Sequence, residues 1–313
     1  MVDWFDTSCC LCPRKCGVNR ARGKVGYCGA GDRVVVYRYG AHFGEEPPLT
    51  GVGGSGAIFF SCCTLRCLYC QNHPWSQGGA GEEMGVERLA EVMGELAQEG
   101  CHNWNLVSPT PWLPAIRKAR ELALKAGFSL PFVYNTSGYE SVATLSEYAD
   151  LADIALVDLR YASARSALEG SDAGNYVARA REAIVWFWNR LGGLELDEAE
   201  GVAKRGVVCR LLALPGRCDE VIENLAWLAN TVGTQIHLSV MSQYIPVYRA
   251  ATLPGWNRRV SPQEYEAVQA AIEDFGFENG WVQPVEEQSK EDLLGQNMPS
   301  GRGSVGKMKD TEQ

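Results

Sequence analysis

Short apolar runs alternate with amphipathic segments along most of the chain, from residue 57 to residue 275. The first apolar run, residues 57–61, is bounded by glycines and polar residues and is typical of a buried strand. Segment 86–99 places Leu89, Val92, Met93 and Leu96 on one stripe, which predicts a helix packed against a sheet. The other predicted strands are 104–108, 132–135, 154–158, 206–213 and 235–240, and the other predicted helices are 111–126, 141–148, 174–189, 219–231 and 262–275.

The pattern predicts an α/β fold with six successive strand–helix units. Strands that alternate with helices form a parallel sheet joined by right-handed crossovers. This alternation by itself suits either a partial barrel or a doubly wound open sheet. A β-rich segment at 34–39 precedes the units, and the acidic stretch 191–200 has no apolar face, so we predict a short strand and a loop insertion, respectively.

Three regions are expected. Residues 1–50 form a cysteine-rich, metal-binding segment, residues 51–285 form the α/β domain, and residues 286–313 are polar and predicted to be disordered. The glycine-rich stretch 51–56 does not precede a predicted helix, as a phosphate-binding loop would. We therefore expect its glycines to allow close backbone packing.

Composition narrows the possible partners and location. The chain has 313 residues, 46% of them hydrophobic, which is enough for a large core. Its net charge of −9 argues against a nucleic-acid binder, although residues 1–40 carry seven Lys or Arg against three Asp. That local excess suits an acidic partner or compensates bound thiolates. With no apolar run of membrane length and no signal peptide, we expect a cytoplasmic protein without membrane contact.

The twelve cysteines of such a protein are expected to be metal ligands, because the cytosol keeps thiols reduced. Cys63, Cys67 and Cys70 follow the first predicted strand with x3 and x2 spacing. Soft thiolates favour iron–sulfur clusters or zinc, and three of them leave one coordination position open. Since His73 lies only three residues beyond Cys70, a closed zinc site of three cysteines and one histidine is the alternative.

A second cysteine group lies at the N-terminus. Cys9, Cys12, Cys16 and Cys28 give the spacing CxxC-x3-C-x11-C, with Cys10 as a spare thiol. Four thiolates close a site, and zinc and an auxiliary iron–sulfur cluster both satisfy it.

The spacing of the central triplet, with Tyr69 before its last cysteine, resembles the radical S-adenosylmethionine (SAM) superfamily. Segments 70–72, 134–139, 210–216 and 241–244 resemble more specifically the branch related to pyruvate formate-lyase activating enzymes, which activate glycyl-radical enzymes. The similarity extends over residues 9–285. It implies a partial (β/α)6 barrel and a [4Fe-4S] cluster held by Cys63, Cys67 and Cys70, whose open iron binds SAM.

The resemblance also implies contacts to SAM from residues at the strand ends. These candidates are Tyr69, Ser108, Thr110, Asn135, Thr136, Asp158, Arg160, Arg210 and Gln243. The chain departs from the family pattern where Ser108 and Thr110 replace a glycine-glycine-glutamate loop, where Asn135 replaces an acid, and where Arg160 replaces a lysine. His42, Glu45 and Glu46, just before the first strand of the units, are candidates for the mouth of a substrate site.

The function implied is reductive cleavage of SAM to a 5′-deoxyadenosyl radical that abstracts hydrogen from an unidentified substrate. The first alternative is activation of a glycyl-radical enzyme by hydrogen abstraction from its backbone glycine. The second is a non-catalytic, cluster-carrying protein. Both enzymatic readings imply an oxygen-poor setting and an electron donor such as flavodoxin or ferredoxin.

Overall fold

A computed structural model describes residues 7–285, and the predicted disordered tail lies outside this range. Within it, ten strands form a mixed sheet with the order β10-β9-β8-β6-β5-β4-β2-β1-β3, and β7 pairs with β8 off this path. The strands are β1 (Val34–His42), β2 (Ser55–Phe60), β3 (Glu82–Met84), β4 (Trp104–Val107), β5 (Phe132–Thr136), β6 (Ile154–Asp158), β7 (Glu195–Leu196), β8 (Ala203–Leu212), β9 (His237–Met241) and β10 (Gly280–Val282).

The helices occupy most of the connections between these strands. They are α1 (Pro47–Thr50), α2 (His73–Ser76), α3 (Val86–Gln98), α4 (Leu113–Lys125), α5 (Val142–Glu147), α6 (Ala164–Ser171), α7 (Tyr176–Leu191), α8 (Cys218–Thr231) and α9 (Pro262–Asp274). Short 3-10 turns lie at Arg20–Arg22, Thr110–Trp112, Ala149–Leu151 and Tyr248–Thr252.

The prediction of an α/β fold with a mostly parallel sheet is confirmed. Strands β2, β4, β5, β6, β8 and β9 pair in parallel, each is followed by a helix, and β10 adds a parallel strand at one edge. At the other edge β1 pairs antiparallel with β2 and with β3. The described strands thus form an open sheet, and the carboxyl ends of its six central parallel strands lie along one rim.

Several elements were not predicted from the sequence. The segment expected at 34–39 runs to His42 and joins the main sheet through β2. The stretch 191–200, predicted as a loop, contains β7, whose two exposed residues pair with β8. Strands β3 and β10 have only three residues each, which is too short for an apolar pattern to be visible.

The glycine-rich stretch before β2 packs as expected. A Cβ on Gly53 would lie 2.1 Å from the carbonyl oxygen of Gly100, and one on Gly56 would lie 2.5 Å from that of Asn103. These positions admit only glycine because two backbones approach each other there.

The N-terminal segment contacts the sheet domain through buried and half-buried arginines. Arg20 is 1% exposed and donates hydrogen bonds to the carbonyl oxygens of Gly31 and Pro111. Arg14 donates to the carbonyl oxygen of Thr64 at 3.1 Å, which lies in the loop after β2. Across residues 7–285, no helix is both long and apolar enough to cross a lipid bilayer.

Candidate active site

The loop after β2, residues 61–72, carries the central cysteine triplet and is named the triplet loop. Its backbone is held on one side by β1, since the amide of Ser61 donates to the carbonyl oxygen of Val35 at 2.9 Å. It is held on the other side by α6, where Gly170 and Ser171 accept from the amides of Leu68 and Arg66 at 2.9 and 3.3 Å. These bonds fix the direction in which the three thiols project.

The three thiols differ in their polar neighbours. The sulfur of Cys67 accepts hydrogen bonds from Arg160 Nη1 at 3.1 Å and from Ser171 Oγ at 2.9 Å. The sulfur of Cys70 lies 3.2 Å from Ser76 Oγ. Burial raises the pKa of Cys63 to about 12 and that of Cys70 to about 11, and negative charge on the neighbouring thiols adds to this effect. Burial thus favours the protonated thiols of Cys63 and Cys70 as long as no further positive charge is bound beside them.

All three cysteines line one cavity of about 580 Å³ at the carboxyl rim of the sheet. This volume lies in the range of small-molecule and cofactor sites. Other predicted site residues that line it are Tyr69, Ser108, Asn135, Thr136, Asp158, Arg160, Arg210 and Gln243. Strand ends that are far apart in the sequence thus converge beside the triplet loop.

Thr110 does not line this cavity. Its hydroxyl donates to Oε1 of Glu140 at 2.6 Å. Thr110 instead lines a second, smaller pocket, which is formed around the N-terminal cysteines. Ser108, two residues earlier, does line the cavity and takes a left-handed backbone conformation with φ 60°. This turn directs the chain away from the cavity before Thr110 is reached.

Asp158 and Arg160, at the end of β6, form an ion pair beside the triplet. Arg160 Nε and Nη2 lie 3.0 and 2.5 Å from Oδ2 of Asp158, and Nη1 reaches the sulfur of Cys67. Burial disfavours the guanidinium charge, but Asp158 and Cys67 outweigh burial and raise the pKa of Arg160 well above its ordinary value. Arg160 therefore provides a permanent positive charge next to Cys67.

A second charged group lies among Glu45, Glu46 and Arg210. Arg210 donates to both oxygens of Glu46 at 2.7 Å and also to Glu45. Burial works against ionisation of Glu46, but the Arg210 charge prevails and holds the pKa of Glu46 below its usual value. Asn105 donates to Glu45 at 2.9 Å and accepts from Asn135 at 3.2 Å. Glu45, Glu46 and His42, suggested by the sequence as lining a substrate mouth, all line the cavity.

Tyr69, within the triplet loop, and Gln243, which follows β9, form part of the cavity wall. The hydroxyl of Tyr69 lies 2.6 Å from that of Tyr161, and its ring stacks on Trp256 with centroids 5.6 Å apart. The backbone carbonyl of Gln243 accepts from the side chain of Gln71 at 3.4 Å, which links this wall to the loop. Both residues are thus held by neighbours that the sequence pattern did not indicate.

His73 is not arranged as a fourth ligand of the triplet. Its ring stacks on Tyr248 with centroids 4.3 Å apart, one ring nitrogen lies 3.2 Å from the carbonyl oxygen of Cys70, and it does not line the cavity. As they are placed, the His, Cys, Asp and Glu side chains of residues 7–285 form no group of three or more that could hold a single metal ion. A four-iron cluster is larger than one ion, so its thiolates stand farther apart than those of a zinc site.

The N-terminal cysteines form a separate group. Cys9, Cys12, Cys16 and Cys28 line one small pocket, which brings together the four positions predicted from the spacing. Burial raises the pKa of Cys12 to about 12 and also raises that of Cys9. Cys10, predicted as the spare thiol, is exposed and does not line the pocket.

Three residues near these groups were missed by the sequence analysis. Cys62 is buried in a left-handed conformation with φ 70°, and the charge of Cys28 adds to the effect of burial in raising its pKa. Ser171 donates to Cys67, and Glu140 accepts from both Thr110 and Thr136. Only Cys62 carried a signal in the sequence, as a thiol adjacent to Cys63.

Comparisons with known proteins add the following. No family model matches the chain. An uncharacterized protein of Methanocaldococcus jannaschii is 27% identical over 274 residues, which are 85% of this chain and 73% of that protein. Among solved structures, native anSMEcpe with bound AdoMet aligns with a TM-score of 0.46 and 12% identity over 74% of this chain. SuiB of Streptococcus suis aligns with a TM-score of 0.44 and 11% identity over 74% of this chain.

The chain spans 59% of the length of the first of these solved proteins and 52% of the second. These similarities are too low to assign a family. A functional assignment for this chain therefore rests on its own cysteine spacing and on the geometry of its cavity.

Proposed function

We propose that the chain is a radical SAM enzyme that acts on a substrate of unidentified class. The observation that carries this proposal is the cavity at the carboxyl rim, which gathers the Cys63, Cys67 and Cys70 thiols beside the Asp158–Arg160 ion pair. An open iron site requires three thiolates and a space for its exogenous ligand, and three cysteines that line one cavity support this interpretation.

Cys63, Cys67 and Cys70 would hold a [4Fe-4S] cluster. Bound there and reduced by an electron donor, that cluster would supply the electron for reductive cleavage of SAM to methionine and a 5′-deoxyadenosyl radical, which would abstract hydrogen from the substrate. Arg160 and Ser171 donate to the Cys67 sulfur and hold it in position.

The polar side chains of the rim would bind and orient SAM. Arg160 offers guanidinium donors suited to a carboxylate, and Asn135, Thr136 and Gln243 offer neutral donors and acceptors. Buried Tyr69, stacked on Trp256, limits the access of water to the triplet.

The Glu45–Glu46–Arg210 group faces the same cavity and is proposed to contact the substrate. Arg210 is bound to both carboxylates and holds them in place at this wall.

Four further features belong to this proposal. The N-terminal thiols hold a second iron–sulfur cluster or, if they move closer together than in this structure, zinc. The chain divides at about residues 50 and 285, as the sequence predicts. The protein works in the cytoplasm and binds neither membrane nor nucleic acid. Its reductant is a flavodoxin or ferredoxin.

Anaerobic reconstitution with iron and sulfide, followed by incubation with SAM and dithionite, tests the proposal. We expect 5′-deoxyadenosine from the wild type and none from Cys67→Ala. The matched control is Cys101→Ala, since Cys101 is a buried thiol that does not line the cavity. Zinc in place of iron at the triplet, or no 5′-deoxyadenosine from the iron-loaded protein, would reject the enzyme and leave a metal-carrying scaffold.

The glycyl-radical activase is the alternative within the same chemistry, and it rests on the motif resemblance of segments 134–139 and 210–216. Adding a candidate glycyl-radical enzyme to the active mixture separates the two readings. A glycyl doublet in the electron paramagnetic resonance spectrum supports the activase, whereas 5′-deoxyadenosine formation without that doublet supports another substrate.

A further inference from the structure

Three arginines lie on the outer side of the triplet loop and each is held by a backbone carbonyl group. Arg14 Nε donates to Thr64 at 3.1 Å, Arg66 Nη2 donates to Tyr27 at 2.7 Å, and Arg249 Nη2 donates to Arg66 at 2.7 Å. The guanidinium carbons of Arg14 and Arg66 lie 3.6 and 4.8 Å from the centre of the Tyr27 ring. Arg14, Arg66 and Arg249 are named the arginine face.

The arginine face carries more positive than negative charge. In the part of the chain that the structure describes, none of the three arginines forms an ion pair with a carboxylate. The acidic side chain that faces the group is Asp172, which accepts from the Tyr27 hydroxyl at 2.7 Å, while its backbone carbonyl accepts from Arg14. Arg66 and Arg249 are exposed. A net positive patch thus lies on a chain whose overall charge is −9.

The arginine face adjoins the candidate cluster site but lies outside the cavity. Arg66 directly precedes Cys67, and its amide donates to the carbonyl oxygen of Ser171, whose hydroxyl donates to the Cys67 sulfur. None of the three arginines lines the cavity. A partner bound here would approach the Cys67 sulfur from outside and leave the cavity open to substrate.

We propose that the arginine face docks an acidic one-electron donor protein, an inference that rests on the proposed function. The donor loses one electron and the metal centre held by the triplet gains it, with no bond made or broken at the arginines. An acidic surface fits because the chain as a whole carries net negative charge, so that complementary charge favours contact at a locally positive patch such as the arginine face. A substrate protein fits less well, because its reacting atom must enter the cavity.

The test uses an acidic flavodoxin as the probe and the double variant Arg66→Glu/Arg249→Glu. The matched control is Arg190→Glu, because Arg190 is also exposed and donates to a carbonyl group, that of Ala149 at 3.1 Å. Calorimetry at low salt measures the dissociation constant for the oxidised flavodoxin. We expect the double variant to bind about tenfold or more weakly and the control to stay within about twofold of the wild type. Wild-type affinity should fall as salt is added.

Turnover gives the second readout. Formation of 5′-deoxyadenosine driven by reduced flavodoxin should fall in the double variant in parallel with binding. Turnover driven by dithionite should persist, because a small reductant needs no docking surface. The variant Arg66→Gln/Arg249→Gln removes the charge but keeps amide donors. It should also lose flavodoxin-driven turnover and keep dithionite-driven turnover, which would show that the loss does not come from damage to the triplet loop.

Unchanged flavodoxin affinity in both double variants would overturn the proposal, as would wild-type affinity that does not depend on salt. If the variants also lose dithionite-driven turnover, the measurements of binding and of its salt dependence decide whether the arginine face docks the flavodoxin. Absence of 5′-deoxyadenosine from the wild type with dithionite would reject the proposed function instead, and calorimetry would then show separately whether the face binds an acidic protein.

Discussion

Glu140 is a buried carboxyl group whose protonation is set by its surroundings. It is 1% exposed, and its Oε1 accepts from Thr110 at 2.6 Å and from Thr136 at 2.5 Å. Burial raises the pKa of Glu140 to about 7, although the two threonine hydroxyls oppose this shift. Thr136 lines the cavity and Thr110 lines the N-terminal pocket, so Glu140 lies between the two candidate centres.

The raised pKa predicts a pH-dependent stability that Glu140→Gln removes. Between about pH 4.5 and pH 7 the folded protein holds a proton at Glu140 that the unfolded chain releases, so the free energy of unfolding falls as pH rises through this range. The shift corresponds to a loss on the order of 3 kcal/mol. The difference in free energy of unfolding, Glu140→Gln minus wild type, should therefore rise from pH 5 to pH 8. Urea unfolding under anaerobic conditions measures this difference.

Glu147→Gln is the matched control, because Glu147 is exposed on the neighbouring helix α5. Its difference from the wild type should not vary with pH in the way that Glu140→Gln does. A constant difference between Glu140→Gln and the wild type from pH 5 to pH 8 would show that Glu140 does not hold the extra proton.

At the residue scale, sequence reasoning located candidate side chains better than it located their partners. The spacing of Cys63, Cys67 and Cys70 was visible because ligands on one loop are close in sequence, and they do share one cavity. Ser171 could not be found in this way, since it reaches Cys67 from a position 104 residues away. Thr110 was placed with SAM by motif, but the left-handed turn at Ser108 sends it elsewhere.

At the scale of single elements, α9 shows how side chains define a helix start. Ser261 Oγ accepts from the amide of Glu264 at 3.3 Å, and Oε2 of Glu264 accepts from the amide of Ser261 at 2.8 Å, which together form a capping box. The carboxylate also accepts from Arg258 at 2.7 Å and from the amide of Gly216 at 2.7 Å. The hydrogen bonds from Arg258, with smaller contributions from the amides of Ser261 and Gly216, hold the pKa of Glu264 far below its usual range. This cap therefore joins α9 to the loop after β8.

Replacement of Ser261 by alanine should destabilise the protein by about 1 kcal/mol, because the first turn of α9 loses its side-chain acceptor. Anaerobic urea unfolding measures this change. Ser141→Ala is the control, since Ser141 occupies the same position before α5 but makes no capping hydrogen bond. Equal losses in the two variants would mean that the α9 cap contributes nothing specific.

The six central strands and their helices could be predicted because each strand is apolar and each long helix has one apolar stripe. Helix α6 was missed, although it holds the triplet loop through Gly170 and Ser171. It spans eight residues, and only Ala167, Gly170 and Ser171 among them are buried, so it has no stripe of large apolar residues. Its role depends on backbone contacts that a pattern of side chains does not encode.

At the scale of the whole molecule, the seven candidate ligand cysteines form two groups, and both groups lie near the loop after β2. The triplet faces the large cavity, and the N-terminal four line a separate pocket beside buried Arg20. Cys62 and Cys63 are adjacent in sequence, but only Cys63 lines the large cavity, while the thiol of Cys62 responds to the charge of Cys28. The loop after β2 therefore places Cys62 near the N-terminal group and Cys63 in the triplet. The spacing within either group does not reveal this arrangement.

Two separate groups should lose metal independently. We expect Cys9/Cys12/Cys16/Cys28→Ala, reconstituted without oxygen, to keep about four iron atoms per chain at the triplet. It should lose all bound zinc if the N-terminal site is a zinc site, or about half of its iron if that site is an auxiliary [4Fe-4S] cluster. Elemental analysis distinguishes these outcomes, and Cys10→Ala, which removes an exposed thiol of the same segment, should keep the full metal content. If the quadruple variant kept the zinc and iron content of the wild type, a metal site at the N-terminus would be contradicted, because the described lining of that pocket contains no other cysteine.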